Sequence, residues 1–306
     1  MSTFLITCAT GRQGASTARL LLAQGAKVHA LVRDPSSAAA LALQSLGATL
    51  FKGDFNDVPA FTAAMQGVTG VFLNTFPDFT DPLGETRYAE TFVAAARATG
   101  TVTTFVASTV FKANQYDDWT TIASEFPFLS QYYSSKAGVE KVIRASGFKY
   151  TILRPGWLMH NYIAPGPMYH FPEYMDKRVL TVSYSPDFQM EHFDADDVGK
   201  FAAAALLEPE KFNGKEIDLV YERLTFGEIA QQLSEAAGVE VAVKYRTKEE
   251  TETQRKTLPT IERQVWATGL TDSPGTLDKY GIKLTTFKEF LEREKSAIKK
   301  TVGVEA

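Results

Sequence analysis

The sequence predicts an α/β fold with a doubly wound parallel sheet and a smaller α+β cap. Short apolar segments of strand length alternate with helical segments over the first 154 residues. This alternation is the pattern of a parallel sheet with helices on both faces. From Trp157 to Met190 the composition becomes aromatic and proline-rich, which suits a lid or the wall of an apolar pocket.

The chain opens with a βαβ unit. Residues 4–8 form an apolar run of strand length, residues 15–23 are good helix formers, and residues 27–33 form a second strand. Gly25 ends the helix before the second strand begins. The two strands of such a unit lie parallel through a right-handed crossover.

The turn between the first strand and the helix predicts a dinucleotide site. Here a βαβ unit directs backbone N–H groups and a helix N-terminus at a diphosphate. Gly11 and Gly14 stand where a side chain would block the phosphate or the contact between helix and strand. The alternative is that two glycines merely end a strand, since Cys8 replaces the first glycine of the three-glycine fingerprint. The residues assigned to cofactor binding are Thr10, Gly11, Arg12, Gln13 and Gly14.

The end of the second strand distinguishes the two nicotinamide cofactors. A carboxylate about 20 residues beyond the turn suits the ribose hydroxyls of NAD, whereas an arginine suits the 2′-phosphate of NADP. Here Arg33 comes first and Asp34 follows. Asp34-Pro35 has the pattern of an N-cap and a first helical residue, which leaves Arg33 to face a phosphate. Arg12 can supply a second guanidinium, and we predict NADP.

Polar residues follow the next strands. The predicted elements are helices over residues 35–46 and 82–99 and strands over 48–52, 70–74 and 102–107. Asp57 is expected to cap the helix that follows it. Asp54 and Phe55 follow one strand, and Asn74 and Thr75 end the next. Ligands of open α/β sheets bind at the carboxyl ends of strands, so we predict that these four residues contact the cofactor.

The segment after the fifth strand is predicted to cover the site. Residues 110–130 are aromatic and polar without clear periodicity. A structureless segment of this length in a compact domain favours a functional role. A helix is predicted from Tyr132 to about Ser146, followed by a sixth strand over residues 149–154 that Pro155 interrupts.

The last third of the chain is predicted to interleave two domains. The expected elements are a helix over residues 195–207, strands over 216–220 and 239–245, a helix from Thr225 to Gly238, and helices thereafter. Thr225 and Glu228 have the spacing of a capping box. We expect residues 1–154 and about 191–220 to form the nucleotide domain. Residues from about 155 to 190 and from 221 to 306 would form the smaller substrate-binding cap.

Composition limits the class of protein. The chain has 306 residues and a net charge of −4, which argues against nucleic acid or an anionic membrane as the main partner. No apolar stretch reaches the ~20 residues of a bilayer span. The chain enters its first strand almost at once, so no signal peptide is expected. One cysteine fits a reducing compartment, and we expect a cytoplasmic protein without a metal site.

Several short segments together resemble the NmrA-like branch of the atypical short-chain dehydrogenases/reductases. They are residues 8–14, 33–34, 53–54, 135–140, 151–156 and 192–199. Cys8 departs from the pattern, because the family usually has glycine there. The resemblance covers nearly the whole chain and implies an extended Rossmann fold with NADP at Gly11, Gly14 and Arg33. Some members reduce quinones, ketones or activated double bonds, whereas others bind NADP(H) as redox-sensing partners of transcription factors or enzymes.

One helix carries the predicted catalytic groups. Tyr132 lies four residues before Lys136, so both lie on one helix face, and Ser108 occupies the strand end where the wider superfamily has its catalytic serine. Hydride transfer to a carbonyl creates an alkoxide that needs a proton and hydrogen-bond donors. A nearby ammonium lowers the pKa of a phenol, ordinarily about 10. We predict Tyr132 as the acid, Lys136 as its activator and ribose ligand, and Ser108 as the donor to the substrate oxygen.

Two alternatives stand beside this assignment. Tyr133 competes for the role of acid, and NmrA-like members often use the lysine alone to bind the cofactor ribose. We expect Pro155 to contact the cofactor. The predicted substrate-binding residues are Thr109, Trp157, His160 and Asn161. For His160, a structural role is the alternative.

The leading interpretation is an NADPH-dependent oxidoreductase that reduces a carbonyl, quinone or enone small molecule. The alternative is a catalytically silent NADP(H)-sensing regulator that acts through a protein partner. A nucleotide-sugar epimerase fits less well, because the segment expected to hold a sugar nucleotide is apolar and short of basic residues. The sequence does not decide the substrate, the direction of the reaction or the oligomeric state. A homodimer is among the oligomeric states that it allows.

Overall fold

The computed structural model describes residues 2–267 and 276–304. The chain forms two compact units. The first unit contains Met1–Trp119, Gln131–Pro155 and Ala195–Leu219, and the second contains Thr120–Ser130, Gly156–Asp194 and Val220–Ala306. The nucleotide domain predicted from the sequence also includes residues 120–130 and about 191–194, which the structure places in the second unit.

The strands of the described residues are short. In chain order they are β1 (Thr3–Ile6), β2 (Lys27–Val32), β3 (Thr49–Lys52), β4 (Gly70–Asn74), β5 (Thr104–Ser108), β6 (Lys149–Pro155), β7 (Trp157–Leu158), β8 (Val179–Val182), β9 (Gln189–Phe193), β10 (Lys215–Leu219), β11 (Glu222–Thr225) and β12 (Ala242–Tyr245).

The helices alternate with these strands through most of the first unit. In chain order they are α1 (Arg12–Ala23), α2 (Ala38–Ser45), α3 (Val58–Ala64), α4 (Gly84–Thr99), α5 (Ile122–Glu125), α6 (Pro127–Arg144), α7 (Pro172–Lys177), α8 (Ala195–Leu207), α9 (Pro209–Phe212), α10 (Phe226–Ala237), α11 (Lys248–Arg255), α12 (Ile261–Ala267), α13 (Phe287–Arg293) and α14 (Lys295–Thr301). Short 3₁₀ helices cover Ala113–Asp118, Met159–Tyr162, Gly166–Tyr169 and Asp278–Tyr280. Among the described residues, no helix is both long and apolar enough to cross a bilayer.

The first unit contains a seven-stranded sheet in the order β10-β6-β5-β4-β1-β2-β3. Every neighbouring pair in this sheet is parallel. The strand order reverses between β1 and β4, and ligands of such sheets bind beyond the carboxyl ends of the strands at this switch point. The prediction of a doubly wound parallel sheet is therefore confirmed.

The second unit has a mixed architecture. A three-stranded sheet has the order β11-β9-β7, with β11 antiparallel and β7 parallel to β9, and a two-stranded parallel sheet joins β12 to β8. Many aromatic and apolar side chains of the segment predicted as a lid or pocket wall lie in the core of this unit. The fully buried ones include Tyr162, Phe171, Tyr174 and Met190. Composition indicated an apolar segment but not the side on which it packs.

Several local predictions hold and others need correction. Asp57 accepts a hydrogen bond from the Ala60 backbone N–H at 3.0 Å, as a cap should. The capping box of Thr225 and Glu228 is present. Residues 110–130 are not structureless, since they contain a 3₁₀ helix, α5 and the start of α6, which begins five residues before Tyr132. The helices after Tyr245 are as predicted where described; residues 268–275 and 305–306 lie outside the described residues.

Asp34 does not cap α2. Its carboxylate accepts hydrogen bonds from the backbone N–H of Ser36 at 2.9 Å and from its hydroxyl at 2.6 Å. Ser37 is the N-cap and accepts from the Ala40 N–H. A local Asx turn thus competes successfully with capping, because an aspartate can bond to the backbone two residues on.

Candidate functional site

The N-terminus of α1 is open to a ligand. Gly11 is the N-cap, no side chain caps the helix, and the first turn contains no acidic residue. The first N–H groups of a helix have no intrahelical acceptors and carry a partial positive charge. Thr10 and Arg12 are exposed beside them. The arrangement is the one that binds anions at helix N-termini.

Gly14 brings α1 against the end of β1. A Cβ atom at Gly14 would lie 2.3 Å from the carbonyl oxygen of Cys8 and 2.9 Å from that of Thr7. At Gly11 the corresponding atom would lie 3.2 Å from the Cys8 oxygen. Because backbone atoms move only with the whole turn, a Cβ atom at Gly14 would require the turn or the start of α1 to shift, whereas Gly11 is merely tight.

Cys8 adopts a conformation that favours glycine. Its φ is +45°, in the left-handed region that side chains disfavour. This explains why glycine is expected at that position. Burial raises the pKa of the Cys8 thiol, while the positive charges of Lys136 and Arg33 oppose the rise.

Hydrogen bonds join the turn to the neighbouring strand ends. The Ser108 hydroxyl donates to Gln13 Oε1 at 2.7 Å, and the Asn74 N–H donates to Thr7 Oγ1 at 2.8 Å. Asn74 also pairs in register with Ser108. The structure thus brings together a predicted catalytic residue and predicted cofactor residues. However, the Ser108 hydroxyl is engaged by Gln13.

Lys136 forms a buried ion pair that the sequence did not predict. Its Nζ donates to Glu85 Oε1 at 2.6 Å and to the Thr75 carbonyl oxygen at 3.0 Å. Glu85 also accepts from the hydroxyls of Thr75 and Ser135, each at 2.5 Å, and it is completely buried. A glutamate in the first turn of a helix is ordinary, because the helix dipole favours it there. No sequence signal distinguished Glu85.

The predicted tyrosine lies near the lysine. Lys136 Nζ is 5.9 Å from the centroid of the Tyr132 ring, as the four-residue spacing predicts. Tyr133 is buried and meets Trp119 edge-on at 5.0 Å. Because the Glu85 carboxylate compensates the Lys136 charge, the ammonium attracts a nearby anion less strongly than an unpaired ammonium would.

The residues predicted for the adenosine half lie at the ends of β2 and β3. Arg33 follows β2 and is exposed. Asp54 is exposed and accepts a hydrogen bond from the Asn56 N–H at 2.8 Å. Phe55 is partly buried and stacks on Tyr88, with ring centroids 5.1 Å apart.

Thr109 belongs to a buried charge network. Its hydroxyl donates to Glu140 Oε1 at 2.8 Å, and Arg154 donates to both oxygens of Glu140, each at 2.8 Å. Glu140 and Arg154 come from two of the segments that carry the family resemblance, so those segments include a structural clamp. Thr109 stays a predicted substrate-binding residue whose hydroxyl is already engaged by Glu140. Pro155 is buried, and its carbonyl oxygen accepts from the Phe111 N–H at 2.9 Å.

Three predicted substrate residues belong to the second unit. Trp157 is buried, and the Arg263 guanidinium lies 5.2 Å from its ring. His160 has its Nδ1 atom 3.8 Å from Asp194 Oδ1 and its Nε2 atom 4.0 Å from Glu294 Oε1. These carboxylates favour the structural alternative for His160. Asn161 is partly exposed.

The parallel sheet and its glycine turn define a protein of the Rossmann type. Residues 1–290 match the NmrA-like family, and the chain belongs to this family, as its sequence segments indicated. It is 28% identical over 262 residues to the NmrA-like family domain-containing oxidoreductase FrzB of Cladobotryum sp., covering 77% of this chain and 74% of that protein. It is 29% identical over 245 residues to the nitrogen metabolite repression protein nmrA of Emericella nidulans, covering 76% of this chain and 65% of that protein, slightly less than two thirds.

A solved structure shows the same fold. The NADPH-dependent quinone oxidoreductase QOR2 of Escherichia coli, in complex with NADPH, aligns with a TM-score of 0.70 and 23% identity. The alignment covers 95% of this chain and 99% of that one.

Proposed function

We propose that this protein is an NADPH-dependent oxidoreductase that reduces a quinone, enone or ketone, with quinones preferred. The observation that carries the proposal is the convergence of the glycine turn, Ser108 and the Lys136 ion pair at the ends of β1, β4 and β5 of the parallel sheet, where hydrogen bonds join them. The relative FrzB, named an oxidoreductase, supports the reaction class. The similar fold of QOR2, whose description names NADPH and quinone, supports the choice of cofactor and acceptor.

The residues of the first unit fit NADP. The uncapped start of α1 and the bare backbone at Gly14 suit the diphosphate, and exposed Arg33 suits the 2′-phosphate. An ammonium has three N–H donors, and the described residues accept two from Lys136, at Glu85 and Thr75. We assign the third to the cofactor ribose. Bound NADPH supplies the hydride.

Ser108 and Lys136 already bind other protein groups, which favours a hydride acceptor whose reduction needs little acid catalysis. Reduction of a ketone produces a strongly basic alkoxide, which needs a proton donor and oxyanion ligands. The Ser108 hydroxyl is bonded to Gln13, and the Lys136 charge is compensated. Reduction of a quinone consumes one hydride and one proton and gives a hydroquinone, whose oxygens are phenolic and far less basic. Such an oxygen can take its proton from water.

Exposed apolar side chains lie in the loop that follows β4 and Thr75. Phe76 directly follows Thr75 and is 72% exposed. Its neighbours in the loop, Phe79 and Leu83, are also exposed. An exposed aromatic ring offers a stacking face to a flat conjugated acceptor.

Anaerobic NADPH oxidation with matched quinone, enone and ketone panels tests this proposal. Quinones should be reduced fastest, and Lys136→Met should slow turnover and weaken NADPH binding. A Phe76→Ala variant should raise the KM for quinone without changing the affinity for NADPH. Faster reduction of ketones than of quinones would contradict the acceptor preference.

The alternative function is a redox-sensing regulator without turnover, acting through a protein partner. The similarity to a nitrogen metabolite repression protein favours it, and so does the engagement of Ser108 and Lys136 by other protein groups. A sensor should bind NADPH and NADP⁺ with clearly different affinities and should reduce neither quinone nor ketone with NADPH. For either function we propose a cytoplasmic location and no direct contact with nucleic acid, which the single cysteine and the negative net charge support.

A further inference from the structure

Glu85 is a buried carboxylate beside the candidate site, and no sequence motif assigns it a role. It lies in the first turn of α4 and is inaccessible to solvent. Its Oε1 atom accepts from Lys136 Nζ and the Thr75 hydroxyl, and its Oε2 atom accepts from the Ser135 hydroxyl. Three donors from β4's end and α6 therefore converge on one side chain.

Close packing of two helices builds this contact. A Cβ atom at Gly138 in α6 would lie 2.0 Å from Thr86 Oγ1 and 3.2 Å from Thr86 Cβ in α4. Glycine at this position lets the helices approach, and the residues just before it, Ser135 and Lys136, reach Glu85. Gly138 and Lys136 both belong to the segment 135–140 that carries the family resemblance.

The arrangement restrains a side chain that is otherwise flexible. A lysine has four methylene groups and loses considerable rotamer entropy when it is fixed. Here the Thr75 carbonyl oxygen and the Glu85 carboxylate hold Nζ from the protein side. Removing one partner of a buried ion pair leaves an uncompensated charge, which is strongly unfavourable.

We propose that Glu85 is a positioning residue that holds the Lys136 ammonium at the end of β4, so that NADPH binding through Lys136 depends on Glu85. The proposal rests on the function proposed above. It predicts that Glu85 acts on the cofactor only through Lys136.

A double-mutant cycle on NADPH affinity tests this dependence. Glu85→Gln should raise the Kd for NADPH at least about tenfold, the scale of one hydrogen bond to a charged group. In a Lys136→Met background the same change should alter the Kd less than about threefold, because coupled residues are non-additive. The control is Glu140→Gln, which removes a buried carboxylate in α6, the helix that carries Lys136. Its effect on the Kd for NADPH should be the same in both backgrounds. Equal effects of Glu85→Gln in both backgrounds would overturn the proposal.

Thermal unfolding of the cofactor-free proteins gives a second readout. Each single variant leaves one buried charge without its partner, whereas the double variant removes both charges. The double variant should therefore unfold at a higher temperature than either single variant. A melting temperature below both would refute the coupling. Because this measurement needs no cofactor, it separates failure of the Glu85–Lys136 link from failure of the proposed NADPH function.

A milder pair of variants covers the case in which Glu85→Gln does not fold. Ser135→Ala removes one hydrogen bond from Glu85 and leaves the ion pair in place. The matched control is Ser134→Ala, whose hydroxyl donates to the Gln131 carbonyl oxygen of its own helix. Ser135→Ala should weaken NADPH binding at least about threefold, and Ser134→Ala should leave it unchanged. Equal affinities of the two variants would overturn the proposal.

Discussion

The sharpest structural prediction concerns a methyl group added at Gly14. The new Cβ atom would lie 2.3 Å from the Cys8 carbonyl oxygen, whereas ordinary contacts begin near 3.4 Å. The start of α1 must therefore move about 1 Å away from β1. The same substitution at Gly11 meets the same oxygen at 3.2 Å, a deficit of a few tenths of an ångström. Gly11→Ala is thus the matched control.

The magnitudes follow from this difference. Overpacking of a well-packed site costs about 1–3 kcal/mol, less than the 5–15 kcal/mol by which domains are typically stable. Gly14→Ala should therefore remain folded. A displaced helix N-terminus loses at least one hydrogen bond to the diphosphate, about 1.5–3 kcal/mol, which corresponds to a rise in Kd of roughly 10- to 150-fold. Gly11→Ala should raise the Kd less than Gly14→Ala does, since its backbone has a φ of −82° that alanine also adopts and its Cβ atom does not displace the helix.

Calorimetric titration of NADPH into the three proteins measures this contrast, with circular dichroism as the folding control. The expected order of affinity is wild type, then Gly11→Ala, with Gly14→Ala far weaker. Normal NADPH binding by a folded Gly14→Ala protein would refute the assignment of the turn as the phosphate site. Equal losses in both variants would refute the reasoning from the Cβ distances.

Three further predictions concern the choice of cofactor, the catalytic acid and the pH dependence of stability. Arg33→Glu should raise the Kd for NADPH at least about tenfold and affect NADH little; equal losses for both cofactors would remove Arg33 from the 2′-phosphate site. Tyr132→Phe should lower kcat on a ketone by roughly 10²–10⁴-fold if this phenol is the acid, with a much smaller loss on a quinone; an unchanged ketone rate would move the acid to another group. Burial lowers the pKa of His192 to about 3 and that of His170 to about 4. A histidine in the unfolded chain has a pKa near 6.5, so below this pH the unfolded chain binds these protons and the folded chain does not. The free energy of unfolding therefore decreases as the pH falls, by about 2 kcal/mol per histidine at pH 5 relative to pH 8. Urea unfolding of wild type and His192→Gln at both pH values checks this, and equal pH dependence of the two proteins would contradict it.

The parallel sheet and the glycine turn were predictable because their signals are local. Strand-length apolar runs alternate with helices, and Gly11 and Gly14 stand in a fixed relation to the first strand. The spacing of Tyr132 and Lys136 likewise predicted their proximity, since it depends only on helix geometry.

The contacts of the candidate site were less predictable because they join residues far apart in the sequence. Glu85 meets Lys136 fifty-one residues further along the chain, and nothing near Glu85 in the sequence indicates a partner. Thr109 follows a strand end, where ligands of parallel sheets bind, yet its hydroxyl donates a hydrogen bond to Glu140, which is distant in the sequence. Asp34 shows the opposite limitation, because two local hydrogen-bonding patterns compete at the same residue and the Asx turn prevails.

Anaerobic stopped-flow mixing of the NADPH-bound wild-type protein with a quinone distinguishes the enzyme from the sensor. We expect the reduced-nicotinamide absorbance to fall in step with the formation of one hydroquinone per NADPH, and to fall more slowly in Lys136→Met at saturating cofactor. NADPH that binds tightly but is not oxidised by quinone, enone or ketone would contradict the enzyme and favour the sensor.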